Sequence, residues 1–234
     1  MLCDLFIRLL LAHIIGDFVL QSDEWCRSKL KYGLRSYHIY IHALIIFSLS
    51  WFILWSWSAW WVAIIIGFTH LVIDAFKKHD GLQPFLWDQV AHIVILLVSG
   101  YVALKKGLFA ELCCNTYYVM CIVVFLLNAK PANILIKLLL RTYSVNISDT
   151  GESQERDLRI QSGKLIGNIE RWLIIIFILC QQYEVIGFLI AGKSIIRYKE
   201  GDTQKTEYVL AGTLLSVFIA VISGLLLMLL GGNG

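Results

Sequence analysis

The sequence predicts an all-α polytopic membrane protein of about eight transmembrane helices, the first four forming a metal-binding bundle. Three observations carry that expectation. The composition is 58% apolar and 16% charged, with a mean hydropathy of +0.71, whereas soluble domains average roughly 45–50% and about 25%. Apolar stretches near the length a spanning helix needs, about 17–25 residues, follow one another with short polar breaks. Within residues 13–92, four polar pairs recur at i, i+4 spacing, each in an apolar setting: His13/Asp17, His38/His42, His70/Asp74 and Asp88/His92.

The expected spans are 5–21, 36–56, 58–76, 86–104, 116–130, 164–182, 184–199 and 207–230. The first reads as a retained helix rather than a cleavable signal peptide. It has no basic start and no small-residue cleavage site, and it carries His13 and Asp17. Tryptophans around Trp51–Trp61, between the second and third spans, read as an outer-leaflet aromatic belt. Pro131 ends the fifth span, and AKPANILIKLLLRTY (129–143) continues as an amphipathic helix on the cytoplasmic surface. SVNISDTGESQERDLRIQSG (144–163) reads as a polar cytoplasmic loop. The chain therefore divides into 1–110, the four-helix bundle; 111–143, the fifth helix and the surface helix; 144–163, the loop; and 164–234, a three-helix membrane part.

Lys and Arg mark the loops unequally. Residues 22–35, 77–85, 141–164 and 193–205 hold fourteen, while the alternate loops hold two. The positive-inside rule makes the basic loops cytoplasmic and places both termini outside. With a net charge of only +3, this is a topology signal, and no nucleic-acid polymer is expected as partner. Membrane lipids are, in a bacterial inner membrane; oligomeric state is open, a homo-oligomer included. The six cysteines (3, 26, 113, 114, 121, 180) show no metal-type spacing and read as apolar packing residues.

Topology turns the four pairs into a geometry. Residues i and i+4 share a helix face, and all four pairs fall at the cytoplasmic ends of their helices. The antiparallel order sorts them into a deep layer, His13, His42, His70 and His92, and a shallow layer, Asp17, His38, Asp74 and Asp88. The layers stand roughly 6 Å apart at 1.5 Å rise per residue. Ionisable groups are costly in a bilayer and mark functional sites. Imidazole with carboxylate suits zinc, manganese or iron, and a four-helix core can hold two such ions. A hydrogen-bonded structural network, a proton relay and haem ligation are the competing readings.

A second polar set lies toward the C-terminus: Lys164, Glu170 and Arg171 in SGKLIGNIERWLIII, Lys193 and Arg197 in AGKSIIRYK, and Glu207 in TEYVLAGTLLS. Lys164, Arg171, Lys193 and Arg197 can form a cationic clamp for a phosphorylated substrate. Interfacial snorkelling with a Glu170–Arg197 or Glu207–Arg171 ion pair is the alternative.

With HIIGDFVLQ, the HxxxH of the second span, HLVIDAFK and DQVAHI in this order, the chain resembles the bacterial membrane family catalogued as domain of unknown function 3307. The blocks GKLIGNIER, AGKSIIR and EYVLAGTLLS extend the likeness. The motif style also resembles membrane-bound metal-dependent hydrolases with intramembrane HxxxH and Asp ligands. The leading functional expectation is a metal-dependent hydrolase acting at the cytoplasmic leaflet on a phosphate ester, either a lipid phosphate or a nucleotide-like small molecule. Two metal ions would hold the phosphoryl oxygens, Arg171 and Arg197 would neutralise developing charge, and Asp88 or Asp17 would act as base. The alternative is a divalent-metal transporter, against which the ligands cluster at one face with no polar path onward. A di-iron lipid oxidase and a membrane sensor are lesser alternatives.

Overall fold

A computed structural model describes residues 2–77, 79–108, 115–143, 153–197 and 203–231, with backbone alone at 153–161, 194–197 and 203–209. Every regular element among them is helical. The helices are α1 (Leu2–Ile14), α2 (Asp23–Tyr32), α3 (Tyr37–Leu54), α4 (Trp60–Phe76), α5 (Leu82–Lys105), α6 (Thr116–Leu127), α7 (Lys130–Thr142), α8 (Ser153–Leu179), α9 (Tyr183–Arg197) and α10 (Thr203–Gly231). A π-helical turn, Ile15–Leu20, continues α1. The chain forms two compact units, Met1–Val123 and Val124–Gly234, divided within α6.

Five helical stretches are long and apolar enough to cross a membrane: Tyr37–Leu54, Trp57–Phe76, Leu82–Lys105, Thr116–Thr142 and Leu210–Gly231. Their outer faces carry large exposed apolar side chains such as Leu44, Ile65, Phe68, Val94, Leu97 and Phe218, as lipid contact requires and water does not favour. By these helices the chain is a membrane protein. α1 and α9, at thirteen and fifteen residues, are shorter than a typical span.

In the N-terminal unit α1, α3, α4 and α5 pack in a ring, each against two neighbours. One end of the ring is an apolar core, built from Leu5 and Leu9 of α1, Ile46 and Leu54 of α3, Val62, Ala63 and Ile66 of α4, and Leu96 and Ala103 of α5. These residues come from the first half of α1 and α4 and the second half of α3 and α5. The antiparallel order therefore sends the other halves, with the polar pairs, to the opposite end. Gly67 permits the α3–α4 approach, since a Cβ there would lie 3.0 Å from Phe47 Cβ and 3.1 Å from the Ala43 carbonyl oxygen. Trp55 ends α3 in the left-handed region at φ 45°. Trp55, Trp57 and Trp60 are exposed at that turn.

The basic segment 22–35, read from sequence as a loop, contains α2. Ser22 caps it by accepting from the Trp25 amide at 3.3 Å, Asp23 and Glu24 sit in its first turn, Lys29 and Lys31 in its last, and Gly33 at φ 55° stops it. α5 starts a turn earlier than expected because Pro84 falls in its first turn, where no amide is needed. The break expected at Pro131 occurs at Asn128–Ala129, and α7 begins anew at Lys130. In the C-terminal unit α8 packs on α10 and α9, and α10 on α7, around Ile174, Ile175, Ile178 and Leu227. α8 begins at Ser153, so 153–163 of the expected loop is helical, while 144–152 lies outside the described residues.

Candidate metal centre

The geometry begins with a departure from regular helix. α1 ends at Ile14 and the backbone widens into the π-helical turn that carries Asp17, a distortion that recurs at functional sites. The turn presses against α3 at Gly16, where a Cβ would stand 2.3 Å from Ile46 Cδ1. With that contact Asp17 Oδ1 reaches 2.9 Å from His70 Nε2, 3.3 Å from His42 Nε2 and 3.6 Å from His13 Nδ1. One carboxylate oxygen from α1 thus meets imidazoles from three helices.

The remaining pairs close around it. His42 Nε2 lies 3.0 Å from His70 Nε2 and 3.8 Å from Asp74 Oδ2. The other edge of His70 faces His92, Nδ1 to Nδ1, at 2.7 Å. His92 Nε2 lies 3.6 Å from Asp88 Oδ1. Three groups have ligand atoms within 4.8 Å of one another: His13, Asp17 and His70; His42, His70 and Asp74; and Asp74, Asp88 and His92. His70 and Asp74 each belong to two groups, so the three are continuous. Seven of the eight expected ligands are brought together, all buried or nearly so.

Buried polar atoms are almost always hydrogen-bonded, yet His42 Nδ1, Asp88 Oδ1 and His92 Nε2 have no partner among the described residues. Two zinc ligands at about 2.0–2.2 Å from a tetrahedral ion stand about 3.3 Å apart, close to the Asp88–His92 separation of 3.6 Å. The donor set and its unpartnered atoms fit a divalent cation.

His38 is placed differently. Its Nδ1 lies 3.1 Å from Ser28 Oγ, Ser28 and Ser36 hydroxyls are 2.8 Å apart, and its ring packs against Trp25 and Tyr37. It ties α2 to the start of α3 and stands outside the three groups.

Sequence reasoning missed three residues that touch the cluster. Lys29, buried on α2, pairs with Asp74 Oδ2. Lys77, just past α4, donates to Asp88 Oδ2 at 2.8 Å. Gln89 donates to Asp88 Oδ2 at 3.2 Å and faces His13 Nε2 at 3.4 Å. Burial pulls the Lys77 ammonium down, and Asp88 more than offsets this, leaving its pKa above the ordinary lysine value. The cap and charge pattern of α2 was the available signal for Lys29. From sequence alone both lysines read only as topology markers.

The C-terminal residues form their own network. Arg171, 1% exposed, donates from Nε to the Asn128 carbonyl oxygen at 2.7 Å, from one terminal nitrogen to Ser216 Oγ at 2.9 Å, and from the other to Asn133 Oδ1 and Asn168 Oδ1, each at 2.7 Å. Glu170 pairs with Lys193; the Glu170–Arg197 pair expected as an alternative from sequence falls outside the described side chains. Lys164 is exposed. The side chains of Arg197 and Glu207 lie outside the described residues.

With the bundle and its polar end described, the sequence match acquires a structural meaning. Residues 5–121 match the family described as protein of unknown function (DUF3307). The chain belongs to that family. The DUF3307 match spans the ring of α1, α3, α4 and α5 with all seven clustered residues, while the blocks at 163–171, 191–197 and 207–216 fall outside it. No curated protein and no solved structure matches the chain.

Proposed function

We propose that this DUF3307 protein is a metal-dependent hydrolase acting on a phosphate ester at the cytoplasmic leaflet. The observation that carries the reading is the meeting of His42, His70, His92, Asp74 and Asp88, with Asp88 Oδ1 and His92 Nε2 facing each other buried and without hydrogen-bond partners among the described residues. His42, His70 and Asp74 would hold one divalent ion, zinc, manganese or iron, and Asp74, Asp88 and His92 a second, with Asp74 shared. Bound there, such ions supply Lewis acidity toward a phosphoryl oxygen and acidify water. Asp17 serves as base, because its Oδ1 lies 3.6 Å from Nδ1 of His13, which holds neither ion in this reading and can take the proton onward. The apolar core on the other side excludes water, leaving a cavity of about 10 Å³ beside His13, His70 and His92, room for about one water.

The same reading includes eight membrane passes in a bacterial inner membrane with both termini outside. It rests on the fourteen-to-two distribution of basic residues between alternate loops. α1 with its π-helical turn, α8 and α9 would supply the passes beyond the five apolar stretches.

Elemental mass spectrometry of detergent-purified protein tests the reading, with His42→Ala and Asp74→Ala as comparisons. About two ions per chain, lost in both variants, followed by phosphate release from a phosphomonoester, is the expected result. Absence of metal under every loading condition overturns it.

A further inference from the structure

We propose that Lys29 and Lys77 form the anion-binding side of this centre and hold the phosphate group of its substrate. The inference rests on the metal-dependent reading above and adds the groups that recognise the substrate.

The two lysines come from the end of the bundle opposite its apolar core. Lys29 is on α2, which leads into α3, and Lys77 follows the end of α4; they pair with Asp74 and Asp88. The other end of the bundle is filled by the apolar core, with Ile46, Ile66 and Leu96 nearest the cluster and also lining the small cavity beside His13, His70 and His92. Lys77 is the water-facing member, its side chain 27% exposed against 9% or less for the seven His and Asp residues. A polar ligand therefore arrives past the ammonium groups.

Charge defines what that ligand is. Three carboxylates, Asp17, Asp74 and Asp88, stand against two ammonium groups, so with neutral imidazoles the cluster carries one negative charge. One divalent cation makes it positive and a second makes it more so. The centre then draws an anion, and lysine ammonium groups with three rotatable donors suit the tetrahedral oxygens of phosphate. Arg171 directs its donors to neutral acceptors of its own unit.

The approach of Lys29 is held by its neighbour in the chain. Ser28 bonds Ser36 and His38, which locks α2 onto the first turn of α3 and sets which α2 side chain faces Asp74. His38 is thus a positioning residue for Lys29.

The test is calorimetric titration of full-length, zinc-treated protein in detergent with inorganic phosphate and with a short-chain phosphatidate, zinc content being read on the same samples. Lys29→Met and Lys77→Met should each weaken phosphate binding at least about tenfold while Lys77→Arg retains it, because the charge-assisted hydrogen bonds are lost only in the former. Tighter binding of phosphatidate than of phosphate assigns a lipid source for the anion, and equal binding assigns a soluble one; both support the site. Lys29→Met leaves Asp74 unpaired, so if it does not fold, the more exposed Lys77 carries the test alone. A zinc-loaded wild type that ignores phosphate, or variants that bind it as the wild type does, overturns the proposal. Lysine-dependent phosphate binding without any zinc overturns the hydrolase reading and leaves the anion site standing.

Discussion

His92 Nε2 and Asp88 Oδ1 face each other at 3.6 Å inside the bundle, one turn apart on α5, and neither has a hydrogen-bond partner among the described residues. A gap this size between two buried unpartnered atoms is spanned by a cation more readily than by a hydrogen bond. Lys77 and Gln89 occupy the other oxygen of Asp88, which leaves Oδ1 directed at His92. His92→Ala should therefore weaken metal binding by more than the about 10–100-fold that outer-shell changes cost. Competition with a chromophoric chelator measures this, and unchanged affinity would remove His92 from the ligand set.

Gly16 is the packing requirement behind the position of Asp17. In Gly16→Ala the new Cβ would meet Ile46 Cδ1 at 2.3 Å, and overpacking of this kind costs about 1–3 kcal/mol. Lower thermal stability and reduced metal content are expected. Ile46→Val removes the methyl group in question, so the double variant should recover much of both; equal losses in single and double variants would show that the contact does not govern Asp17.

His38 should separate from the other histidines in behaviour. His38→Ala is expected to keep its metal content while backbone amides of α2 exchange faster, since the Ser28–His38 bond that fastens the helix is gone. Metal loss on the scale of His42→Ala would instead make His38 a ligand.

Arg171→Met tests the C-terminal network on its own. It strands the Asn128 carbonyl, Asn133 Oδ1 and Ser216, while Asn168 Oδ1 keeps its bond from Asn133 Nδ2, and each buried polar group left unsatisfied costs about 1–3 kcal/mol. A loss of at least about 3 kcal/mol in denaturation, with metal content unchanged, is expected. Intact stability with lost phosphate turnover would instead identify Arg171 as part of the clamp envisaged from sequence.

Much of the polar end was legible in the chain because helix periodicity is local. His13/Asp17, His70/Asp74 and Asp88/His92 each mark one face of one helix, and antiparallel order brings those faces to one end of the bundle. His38 shares its face with His42, yet it sits in the first turn of α3, where its neighbours are Ser28 and Trp25 of α2. No periodicity within α3 encodes that helix. The Ser22 cap and Gly33 stop of α2 were visible, but in a basic segment they were outweighed by the charge count.

The chain alone determined that this is a helical membrane protein and that His and Asp pairs gather in its first half, because apolar length and four-residue spacing are properties of single segments. The tertiary structure decided which atoms meet. The pressing of Gly16 onto Ile46, the His70–His92 edge contact and the insertion of Lys29 toward Asp74 depend on how helices rotate and dock against one another. Spacing along one helix constrains the face a residue shares, and only the neighbouring helices set what that face touches.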